Sequence, residues 1–106
     1  MSATHEHVVV QVTCASRTEA EDLARLAVES RLAASAQVGP LRTWYRWKGE
    51  VCEAEEFLVS LFSRRQRFEA LAELVREHHG YELPQVVALP LSDGTPEFLR
   101  WIDDNC

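Results

Sequence analysis

The sequence predicts an α+β domain whose elements run β-α-β-β-α-β, with an extra helix at the C-terminal end. Three observations predict it. Apolar runs of strand length, VVVQVT at residues 8–13 and QVVAL at residues 85–89, lie near the two ends of the chain. Two stretches with apolar residues three to four apart follow strand-like segments, which is helical spacing. The longest strand-like stretch is interrupted by Lys48-Gly49-Glu50, a turn signal in which glycine supplies the positive φ.

The elements follow in order. Residues 8–13 are rich in β-branched side chains and predict a buried strand. Ser16-Arg17-Thr18-Glu19 is a capping box, in which the Ser hydroxyl satisfies an early helix N–H and the Glu reaches back. The helix it opens is predicted to reach about Arg31, with Leu23, Leu26, Ala27 and Ser30 on one face. Gly39-Pro40 predicts a break or bulge. Residues 41–47 form an aromatic-rich strand, and residues 51–63 return beside it, so residues 36–62 make one long hairpin. Ser63-Arg64-Arg65-Gln66 predicts a second capping box. Its helix carries Phe68, Leu71, Ala72 and Val75 inward and ends near His79-Gly80, where glycine suits a C-cap. Residues 81–84 are a loop, residues 85–89 a short strand closed by Pro90, and Ser92-Asp93-Gly94 a turn. Thr95-Pro96 starts the last helix, which runs to about Asp104 with Phe98, Trp101 and Ile102 inward.

This order is the split βαβ, ferredoxin-like motif. Helices on one sheet face leave the other exposed, so self-association is expected to bury it. The 106 residues are one domain's worth, expected at 8–105, with residues 1–7 as a flexible tail.

The net charge of −6 argues against a surface that tracks nucleic-acid phosphates. No apolar stretch approaches the ~20 residues that span a bilayer, and residues 1–7 lack a hydrophobic signal core. The three cysteines, Cys14, Cys52 and Cys106, are an odd number without a C-x-x-C, which predicts reduced thiols in a cytoplasm. Cys106 is expected at the surface.

Several segments, in this order, resemble a known family. They are Arg31-Leu32-Ala33-Ala34-Ser35-Ala36, Trp44-Tyr45-Arg46-Trp47-Lys48-Gly49-Glu50, Glu77-His78-His79-Gly80-Tyr81-Glu82-Leu83-Pro84, Leu89-Pro90, and the closing stretch from Gly94 to Ile102. Together they are similar to the CutA divalent-cation tolerance proteins over essentially the whole chain after His7. The resemblance implies a ferredoxin-like homotrimer, architecturally similar to the PII signalling proteins. It also implies a cytoplasmic role in metal tolerance, copper binding as in some members, and no established reaction. The sequence departs from the family pattern at four places. Val12 and Ser35 stand where the family has cysteines, Phe62 where it has lysine, and Gly80 where it has proline.

His78 and His79 are the first candidates for a transition metal, copper or another divalent ion, since neutral imidazole is a common ligand. Adjacent histidines diverge by about 100° on a helix, so each needs partners from elsewhere, such as Cys14, Glu77 or another subunit. The competing reading has one histidine at the helix C-terminus, where a cation is favoured, and the other at the surface. Cys14 is either a soft ligand or a small core hydrophobe. Trp44, Tyr45 and Trp47 read as a subunit interface. Arg42 and Arg46 read as salt-bridge partners of Glu50, Glu53 or Glu55, and Glu53, Glu55 and Glu56 as a solvated edge. His5 and His7 make a weak H-x-H. A second functional reading is a PII-like trimer that binds a small molecule in inter-subunit clefts, with Tyr81, Trp47 and Lys48 lining them. No cofactor is required on either reading, and no nucleophile–base pair is recognisable.

Overall fold

The structure, a computed structural model, describes residues 6–106. His5 and most of the expected tail lie outside the described residues. Strand β1 (His7–Cys14) leads into helix α1 (Arg17–Glu29), then β2 (Ser35–Trp47) and β3 (Glu50–Arg64). A single 3₁₀ turn, Arg65–Arg67, precedes α2 (Phe68–His78), and β4 (Val86–Pro90) and α3 (Pro96–Asn105) complete the chain. The four strands form one sheet in the order β2-β3-β1-β4, every neighbouring pair antiparallel. This is the ferredoxin-like topology expected from the element order.

Side chains alternate between the sheet faces at period two, so the register assigns each residue to a face. Val8, Val10, Val12 and Cys14 of β1 share a face with Val59 and Leu61 of β3. This is the core face, and Ala20, Leu23, Ala24 and Ala27 of α1 and Leu71 and Val75 of α2 close it. Leu23 and Ala27 are buried as expected, but the α1 stripe lies three positions N-terminal of the expected one, a rotation of about 60°: Leu26 is half-buried and Ser30 exposed. Small alanines let the helix lie close to the sheet.

The hairpin holds its register for its whole length. Trp47 pairs with Glu50, and the two-residue turn takes Lys48 at φ 52° and Gly49 at φ 81°. Gly39-Pro40 makes no break: Pro40 pairs with Phe57 within continuous β2. Because β2 is an edge strand, the missing proline N–H removes no ladder bond from a central position.

Three further expectations are corrected. Ser63 caps no helix: it lies in β3 and its hydroxyl donates to the Leu32 carbonyl at 2.7 Å, so α2 starts uncapped after the 3₁₀ turn. Gly80 is not a left-handed C-cap, because α2 ends directly in extended backbone at His79 (φ −101°, ψ 143°). In α3 only Ile102 is buried; Phe98 and Trp101 stack on one another near the surface, 41% and 42% exposed.

Cys106, expected at the surface, is buried with Ile102 and Ala34 against Phe62, Leu91 and Leu99. Phe62 lies on the second sheet face by register, so α3 covers one end of that face. The rest carries Tyr45, Trp47, Val87 and Leu89, all exposed.

Candidate functional site

The end of β1, the start of α1 and the loop after α2 meet at one place. Ser16 caps α1 as expected, accepting the Glu19 N–H at 3.1 Å. Glu19 reaches back to the Ala15 N–H at 3.3 Å through Oε1. Its Oε2 accepts the Gly80 N–H at 2.8 Å, so the capping glutamate also anchors the loop after α2.

His79 is the residue this loop buries, its side chain 1% exposed. Nε2 lies 2.6 Å from the Thr13 carbonyl, and Nδ1 lies 3.0 Å from the Tyr81 amide nitrogen. A carbonyl accepts and an amide donates, so Nε2 carries the proton and Nδ1 spends its lone pair on Tyr81. Both ring nitrogens thus hold backbone, tying the loop to β1.

Tyr81 tilts its ring over His79, centroids 4.8 Å apart, and donates its hydroxyl to Glu56 Oε2 at 2.6 Å. Burial and the neighbouring Glu56 carboxylate raise the phenol above its usual range, which keeps it a donor. Glu56 is 6% exposed. Its burial overturns the reading of Glu53, Glu55 and Glu56 as one solvated edge. Glu53 and Glu55 do lie at the surface, where both accept from Arg42, as expected for the hairpin. Arg46 instead points Nη1 at the Gly49 carbonyl at 3.5 Å.

Cys14 is fully buried on the same sheet face as Val12, as period two requires. Burial, then the charges of Glu19 and Glu56, push its thiol up to about 12. It is a protonated thiol at neutral pH, not a thiolate.

His78 points elsewhere. It is exposed, with Nδ1 3.0 Å from the Leu74 carbonyl in its own helix. It lines a shallow hollow of about 390 Å³ with Ser16, Glu19 and Asp22. The three expected ligands are therefore not brought together: His78 faces solvent, His79 faces the β1 backbone and Cys14 sits in the core. Among the described residues no three His, Cys, Asp or Glu side chains gather as a metal site.

A second cleft, about 480 Å³, opens beside Tyr81 and is lined by Thr13, Tyr45, Trp47, Glu56 and Leu83 among others. Tyr81 and Trp47 both line it, while Lys48, in the hairpin turn, does not and holds its Nζ 6.0 Å from the Trp47 ring centroid. Trp44 faces opposite to Tyr45 and Trp47, so the three aromatics are not one cluster. Sequence reasoning missed Glu56. The signal was its parity: Glu53 and Glu55 share one strand face, and Glu56 alone falls on the other.

The family model for CutA1 divalent ion tolerance proteins matches residues 8–105. The chain is 40% identical over 98 residues to the divalent-cation tolerance protein CutA of Thermus thermophilus, covering 92% of this chain and 95% of that one. It is 42% identical over 94 residues to a CutA homolog of Xenopus laevis, but spans only 62% of that longer relative. The solved structure of the Thermus thermophilus protein superposes with a TM-score of 0.91 at 39% identity, covering 93% of this chain and 97% of that one. The Archaeoglobus fulgidus structure, a CutA described as periplasmic, superposes with a TM-score of 0.91 at 32% identity and the same coverage. On its sequence over 8–105 and on its fold, the chain belongs to the CutA1 divalent ion tolerance family.

Proposed function

We propose that this chain serves tolerance of divalent cations as a homotrimer, and that it holds copper or another divalent transition metal weakly, with His78 as its accessible ligand. The observation that carries the assembly is the uncovered part of the second sheet face. Val87 and Leu89 are 44% and 41% exposed, on the same sheet face as Phe62, whose ring meets that of the exposed Phe98 edge-on. Large apolar groups in one place mark an association surface.

The metal reading rests on His78 alone among the expected ligands. Its neutral ring donates Nδ1–H to the Leu74 carbonyl and leaves the Nε2 lone pair free. One imidazole makes a weak site, so further ligands must complete it. Residues 8–105 act as one domain, a binding protein and not a catalyst. The three unpaired cysteines suit a reducing cytoplasm.

The test is light scattering on the purified protein, followed by Cu(II) and Zn(II) titrations of the parent, His78→Ala and His79→Ala. A mass of three chains is expected, with metal affinity lost in His78→Ala. His79→Ala is expected to lower stability without a specific loss of metal. A monomer would sink the assembly, and unchanged metal binding by His78→Ala would sink the site.

A further inference from the structure

The hollow beside His78 belongs to the helix layer, since α1 supplies most of its lining and α2 the histidine. Those helices close the core face of the sheet. The assembly proposed above covers the opposite face, so the hollow does not depend on it. His78 is the last residue of α2 and stands at the negative end of that helix, where a cation is favoured. Its Nδ1 lies 3.0 Å from the Leu74 carbonyl, which only accepts, so Nδ1 carries the proton and Nε2 keeps its lone pair. A backbone carbonyl on one ring nitrogen is a common way to fix an imidazole that ligates metal through the other.

Two carboxylates line the same hollow, and they differ. Glu19 spends both oxygens on backbone amides, Oε1 on Ala15 and Oε2 on Gly80, so it supplies charge but no spare oxygen. Asp22 follows one turn later on the same helix face. Its Oδ1 accepts from Arg25 Nη2 at 3.1 Å, and among the described residues no hydrogen bond reaches Oδ2. Arg25 and Asp22 are 62% and 60% exposed, and an exposed ion pair is weak enough for a doubly charged ion to displace. Arg25 then has a second carboxylate to turn to, Glu29 at 3.9 Å. An imidazole nitrogen with a carboxylate oxygen suits a borderline divalent ion such as Zn(II) or Cu(II). A hard ion such as Ca(II) wants six or more oxygens, which this pair does not supply. The soft thiolate that suits Cu(I) is missing, because Cys14 is enclosed in the core.

We propose that Asp22 is the second protein ligand at this hollow, and that His78 and Asp22 of one chain together hold a borderline divalent ion, with water in the remaining positions and Arg25 as its competitor. This rests on the reading of His78 as the accessible ligand, and it adds the partner that makes the site selective between ions.

The test is a titration of the whole protein with Zn(II) and with Ca(II), read by calorimetry and by the imidazole nitrogen signals in NMR. Zn(II) is expected to move His78 Nε2 saturably and leave the His79 ring unmoved, with Ca(II) far weaker. Asp22→Asn keeps the shape and removes the charge, and it should weaken Zn(II) at His78 about tenfold or more. Arg25→Ala removes the competing cation and should tighten Zn(II) about two- to fivefold, the range of an exposed ion pair. Both positions are exposed on α1, so both variants are expected to fold. If Zn(II) leaves His78 Nε2 unmoved in the parent, the metal reading of His78 falls and this inference with it. If Zn(II) moves His78 but binds Asp22→Asn as tightly as the parent, the reading of His78 stands and Asp22 is not a ligand. Ca(II) binding at His78 as tightly as Zn(II), or weaker Zn(II) binding in Arg25→Ala, also overturns the pair.

Discussion

At the scale of single residues, chemistry here is set by what each side chain is buried against. Cys14 and His79 were both candidates for a metal, and both are withdrawn from solvent for reasons of packing and backbone satisfaction. The Cys14 thiol, pushed from 9.0 to about 12, is protonated and enclosed. It should therefore resist a disulfide reagent at pH 8 in the native protein and react once the chain is unfolded, while the less buried Cys52 reacts in both states. Mass spectrometry of labelled peptides reads this directly, and fast native labelling of Cys14 would contradict the burial. The same shift has a consequence for stability. The folded thiol holds its proton more tightly than the unfolded one, so the contribution is whole below pH 9 and is lost as the pH climbs towards 12. Chemical denaturation at rising alkaline pH should show that decline, and it should lessen in Cys14→Ala.

At the scale of elements, the start of α1 does two things at once. Ser16 satisfies an early amide of the helix, and Glu19, three residues on, holds Gly80 in the loop after α2. Losing the cap alone, in Ser16→Ala, should destabilise by about 1 kcal/mol. Glu19→Ala should go further, by about 1–3 kcal/mol, because it leaves the Gly80 amide without its partner. The urea midpoints of the two variants give the comparison, and equal losses would mean that Glu19 does no more than cap. The capping box itself was legible in four consecutive residues. The second one, at Ser63, was equally well formed in sequence and did not cap, because the hydroxyl had a nearer acceptor in Leu32, 31 positions away in the chain.

At the scale of the whole molecule, one sheet face is closed by α1 and α2 and the other is covered only at one end, by α3. That end is held by ties distant in sequence. His7 meets Asp103 at 2.9 Å, Arg31 donates to the Asp104 carbonyl at 3.1 Å, and Arg64 donates to the Cys106 carbonyl at 2.7 Å. The remainder of the face is exposed, and the proposed assembly is what would cover it. Association stabilises the folded state by mass action, so the thermal midpoint should rise with protein concentration. Leu89→Glu, which puts a charge on the exposed part, should lower the midpoint and abolish its concentration dependence. A midpoint independent of concentration in the parent would count against assembly through this face.

The order of elements, the span and turn of the hairpin and the family were legible in the sequence alone. Each of these is written locally: in β-branched runs, in the Lys48-Gly49 turn, in Ser16 and Thr95 at helix starts, and in motifs kept in order along the chain. The centre of the buried stripe on α1, the burial of Cys106 and Glu56, and the occupation of both His79 nitrogens were not legible there. Those depend on groups far apart in sequence, such as Thr13 with His79 and Glu56 with Tyr81. Periodicity reports how often a side chain returns to a face. Only the packed fold decides which polar groups lose water there, and a group that loses water must take whatever partner lies within hydrogen-bond reach.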